Sequence, residues 1–131
     1  MSAANPALDA LLELQERLQR GPKREGAFAL WLVARVAWDV GNGGEEAARA
    51  ERRRVALLER RLAPLAVPRP LARGLATALD HLRDCTPAAA RIALSQLVAP
   101  AREAIGPEAG EALALLARDL HAARGGGGVI R

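Results

Sequence analysis

The chain has 131 residues, half of them hydrophobic and 26% charged, which suits one domain with a single core and excludes wholesale disorder. Its apolar residues are mostly Ala and Leu, with one Phe and no Tyr, so helix formers dominate and strand formers are scarce. The net charge of +4 accompanies a pI near 10.8 because Lys23 is the only lysine among nineteen cations and no Tyr titrates below the Arg range, so the pI alone does not imply nucleic acid.

Asn5-Pro6 predicts the start of a first helix, with Asn as N-cap and Pro at the first helical position. Leu8, Leu11, Leu12, Leu14 and Leu18 line one face, and the i,i+4 pairs Glu13/Arg17 and Glu16/Arg20 lie opposite. Gly21-Pro22 ends it. A second helix over about 26–40 carries every aromatic of the chain, Phe28, Trp31 and Trp38. It is apolar on nearly all sides, and such a helix must be surrounded. Gly41-Asn42-Gly43-Gly44 then predicts a break.

A third helix is expected from about Glu45, with Val55, Leu58 and Leu62 on its inner side. Val67-Pro68-Arg69-Pro70 reads as a stiff linker, and Pro70 opens a fourth helix striped with Leu71, Leu75, Leu79 and Leu82. Thr86-Pro87 caps a fifth, with Leu94, Leu97, Val98, Ala101 and Ile105 on one face. Pro100 is expected to kink or split this helix. Gly106-Pro107 opens a sixth, burying Ala109, Leu113, Leu116 and Leu120. The expectation is an all-α, compact bundle of five to six helices around the central apolar helix (about 26–40). Residues 1–124 form a single helical domain and 125–131 a flexible Gly-rich tail.

Cys85 is the only cysteine, so no intrachain disulfide forms. The N-terminus lacks the basic and apolar regions of a signal peptide. The apolar segment is too short for a membrane span and is interrupted by Arg35 and Asp39. A cytoplasmic protein without membrane contact is expected.

Candidate chemistry is sparse. His81 and Cys85 stand four apart, a chelating spacing, and His121 is the only other histidine. The His-x3-Cys spacing resembles that of zinc-binding anti-sigma families, which carry a further Cys where this chain has Ala88. A structural zinc site takes four protein ligands. The run from His81 to Pro87 resembles the histidine box of sensor kinases, with its proline one residue late and no nucleotide-binding box after it. The glycine runs lack the Lys-Ser/Thr of a phosphate loop. No catalytic constellation, metal site or cofactor is expected.

Two surfaces remain. Trp31, Arg35 and Trp38 share one side of their helix and form a possible pocket, with Asp39 one turn beyond Arg35. In the third helix Arg49, Arg53 and Arg60 form one outward stripe and Arg54 and Arg61 another, with Leu57 between them, opposite the core face. Leu57 is not explained by the bundle core, and Ile92 is likewise off-core. These features predict a non-enzymatic protein-interaction or assembly module that self-associates. The alternative is a small subunit or regulator that binds the nucleic-acid backbone through the Arg-rich third helix.

Overall fold

The computed structural model describes residues 6–21, 23–84 and 86–129, with side chains described for 6–21, 23–42, 53–84 and 86–120. Five helices follow one another: α1 (Pro6–Arg17), α2 (Arg24–Leu62), α3 (Arg69–Leu82), α4 (Pro87–Ala104) and α5 (Pro107–Val129). The fold is the all-α bundle that the Ala- and Leu-rich sequence predicts.

Helix α1 begins at Pro6, where the missing N–H is one of the helix's unpaired donors in any case. The expected N-cap, Asn5, lies outside the described residues. Ala7, Leu8, Leu11 and Leu14 are buried against α2 and α5. Arg17 pairs with Glu108 of α5 at 2.5 Å rather than with Glu13. Both partners are more than 60% exposed, so this tie contributes only about 0.2–1 kcal/mol.

Helix α2 has helical residues running without interruption from Arg24 to Leu62, across the Gly41–Gly44 stretch where the sequence predicts a break. It is nevertheless not one straight rod. Asp39 accepts from Arg54, Glu25 accepts from the backbone N–H of Ala66, and Phe28 and Leu65 line one cavity. A straight α-helix would hold Asp39 and Arg54 roughly 22 Å apart. The paired positions advance along one arm as they retreat along the other, so the chain reverses between Asn42 and Arg53 into two antiparallel arms.

Gly41 also serves packing. A Cβ there would lie 2.5 Å from Cδ2 of Leu120, so only glycine lets α5 approach this closely. A glycine inside a helix costs about 1 kcal/mol against Ala, which the packing around it absorbs.

The first arm is the hub. It carries most of the buried residues through which α2 meets the other helices: Ala29, Leu30, Val33, Ala34, Ala37 and Val40 are fully enclosed, and α2 touches all four other helices. The enclosing face consists of Ala, Val and Leu. Phe28, Trp31 and Trp38 are half-buried, with both indoles packed against the rim of the core. Aromatic placement in sequence therefore locates the right helix but not its innermost face.

Thr86 caps α4 as its sequence predicts, with Oγ1 accepting from the N–H of Ala89 at 3.1 Å. Pro100 does not split α4, which continues to Ala104. The proline ring seats on Gly74 of α3, where an added Cβ would approach Cγ of Pro100 to 2.6 Å. Close α3–α4 packing thus offsets the lost helical hydrogen bond. Gly106, at φ +151°, makes the corner into α5, a conformation that L side chains rarely adopt. Helix α5 extends to Val129, past the point where sequence reading starts a tail; Ile130 and Arg131 lie outside the described residues.

Candidate partner-binding surface

The second arm of α2 presents two faces. Val55 and Leu58 are buried, 3% and 4% exposed. Leu57, one residue from Leu58, is 54% exposed, the most open of the large apolar side chains among the described residues. At 100° per residue it points opposite the core. Arg53 and Arg60 lie on one flank of Leu57, and Arg54 and Arg61 on the other; all four are exposed. The side chain of Arg49, placed in the same stripe by sequence, lies outside the described residues.

The charges on this arm are unequally engaged. Arg54 Nη1 donates to Asp39 Oδ2 at 2.9 Å, and Glu59 accepts from Arg83, the C-cap of α3. Arg53, Arg60 and Arg61 have no ion pair among the described residues. Their guanidinium groups stand beside an exposed leucine, and no carboxylate among the described residues holds them.

The other candidate, Trp31, Arg35 and Trp38, lies on the first arm. Arg35 is exposed, and its Nε donates to Asp39 Oδ2 at 3.3 Å, the helical pair expected from the sequence. The same oxygen therefore takes Arg35 from its own arm and Arg54 from the other. Two candidate sites that sequence treats separately become neighbours on the outer face of one helical hairpin. Asp39 is the joint, with 25% of its side chain exposed. The two indoles border this face as half-buried side chains rather than as free anchors.

Three further features complete the surface. A groove of about 340 Å³ between the second arm and α3 is lined by Leu62, Ala63, Leu75, Ala76 and Leu79. Sequence assigns Leu62, Leu75 and Leu79 to inner faces; Leu75 and Leu79 are buried as expected, and Leu62 is half-buried at the edge of the core. Ile92 and Leu115 are 45% and 43% exposed on α4 and α5, isolated among polar and small neighbours as surface apolar residues often are. Leu115 was not singled out by sequence.

His81 is half-buried at the end of α3, whereas Cys85 and the side chain of His121 lie outside the described residues. No cluster of three His, Cys, Asp or Glu suited to a metal occurs among the described residues. No helix among them is long and apolar enough to cross a membrane. No protein family, curated protein or solved structure matches the chain.

Proposed function

We propose that the protein is a non-enzymatic interaction module that docks a protein partner on the outer face of the α2 hairpin. The observation that carries this reading is the exposure of Leu57 within a frame of arginines on the side of the arm turned away from the core. Folding gains nothing from a solvent-facing leucine, whereas an interface gains from an apolar centre within a charged rim. Self-association is a second form of this proposal, in which a different face of another copy meets Leu57 and the arginines.

A photo-crosslinking amino acid at position 57, used in native lysate with and without nuclease, tests this reading. Protein adducts that survive nuclease are expected. Absence of protein adducts, or adducts lost on nuclease treatment, would sink it.

Arg53, Arg60 and Arg61, without an ion pair among the described residues, support a second reading, contact with a nucleic-acid backbone, since each phosphate contact adds salt-dependent affinity. Gel shifts across a salt series decide it. Equal retention by the wild type and an Arg53→Glu, Arg60→Glu double variant rules it out.

A further inference from the structure

Resting on the protein-docking reading, we infer that the hairpin's occupant is an acidic amphipathic helix of another protein, with an apolar ridge set on Leu57 and carboxylates set on the arginines.

Charge is the first argument. Among the described residues the outer face gathers Arg35, Arg53, Arg54, Arg60 and Arg61 around the carboxylate of Asp39. Asp39 is already shared between Arg35 and Arg54, so Arg53, Arg60 and Arg61 await anions from elsewhere. A second copy supplies none through this face. A two-fold interface lays the same patch on itself, which would oppose arginines to arginines around two leucines.

Spacing is the second argument. Arg53 and Arg60 are seven residues apart, as are Arg54 and Arg61, so each pair spans about 10 Å, two helical turns. Leu57 lies midway between the flanks. An apolar position flanked by charges at a seven-residue period is the pattern by which one helix reads another. The matching partner carries Glu or Asp on both sides of a leucine-type stripe at the same period. A phosphate backbone satisfies the guanidinium groups but leaves Leu57 in contact with a polar, hydrated chain. The leucine therefore favours protein over nucleic acid.

Reach is the third argument. Asp39 lies between the two arms, accepting from Arg35 on one and Arg54 on the other, so a helix laid along the hairpin meets the Trp31–Trp38 border on one bank and Leu57 on the other. The chain has two Trp and no Tyr, so intrinsic fluorescence reports directly on this face.

The test uses fluorescein-labelled helical peptides of about three heptads with one shared leucine stripe. Their flanks are all Glu, all Lys or all Gln, and labelled oligothymidylate is run beside them. Binding to the full chain is followed by anisotropy and by tryptophan emission over a salt series. The Glu peptide is expected to bind saturably, shift the emission and weaken with salt. Leu57→Asp and the Arg53→Glu, Arg60→Glu variant are each expected to weaken it about tenfold or more. All three positions are exposed, so unchanged thermal melts confirm that the variants fold.

Equal or tighter binding of the Lys or Gln peptide, preference for oligothymidylate, no Glu-peptide binding at low salt, or indifference to the variants would each overturn the inference. If peptide selectivity fails while position 57 still crosslinks to protein, the acidic partner falls and the docking face stands. If crosslinking to protein also fails, both fall.

Discussion

Arg54 Nη1 lies 2.9 Å from Asp39 Oδ2, although both belong to α2 and fifteen positions separate them. Helical rise alone forbids that contact in a straight rod, so the ion pair records a reversal of the chain. The same pair joins the two candidate surfaces into one, which makes the geometry of α2 the point on which both fold and function turn.

The reversal is open to direct measurement. Spin labels at Arg24 and Ala63, in a Cys85→Ser background, are expected within about 25 Å of each other, against roughly 58 Å for an unbent α-helix. A distance distribution centred near the longer value would refute the hairpin. Asp39→Ala should leave the short distance intact and cost about 1 kcal/mol or less in urea unfolding, because both of its ion pairs reach solvent.

Inner and outer faces should separate cleanly by mutation. Leu30 and Leu94 are fully enclosed, so truncating either to Ala is expected to cost about 2–5 kcal/mol of unfolding free energy. Leu57→Ala, at a residue 54% exposed, should stay within about 0.5 kcal/mol of the wild type. Comparable losses at Leu30 and Leu57 would contradict the assignment of faces.

The α3–α4 contact makes a sharper claim. Gly74→Ala improves helix propensity yet drives a Cβ into the Pro100 ring, at 2.6 Å from Cγ. Net destabilisation of about 1–3 kcal/mol is expected from overpacking. Pro100→Ala removes Cγ but keeps Cβ, 2.8 Å from the added methyl, so it should restore only part of that loss in the double variant. A stabilised Gly74→Ala protein would show that the helices do not meet this closely.

Gly106 tests backbone strain alone. Its φ is +151°, and nothing lies within 4 Å of a Cβ built there. Gly106→Ala is therefore expected to lower stability by about 1–3 kcal/mol without any steric clash. Thermal melts unchanged from the wild type would show that the α4–α5 corner adopts another conformation.

Much of the architecture was legible in the sequence because it depends on local chemistry. Ala and Leu content chose helices, Thr86-Pro87 and Gly106-Pro107 set their ends, and the period of Leu71, Leu75, Leu79 and Leu82 chose the inner face of α3. Leu57 was identifiable as outward-facing for the same reason, since helical phase is a property of a single segment.

Positions whose role depends on a neighbour were misread. Gly41 looked like a terminator alone until Leu120 was seen to occupy the space its side chain would fill. Pro100 looked like a break until Gly74 was found beneath its ring. Residue types and their spacing determined which faces are apolar and which are charged. Only the tertiary structure decided that Asp39 binds arginines from both arms of α2. Contacts between distant segments are set by how whole helices pack, and no local period encodes them.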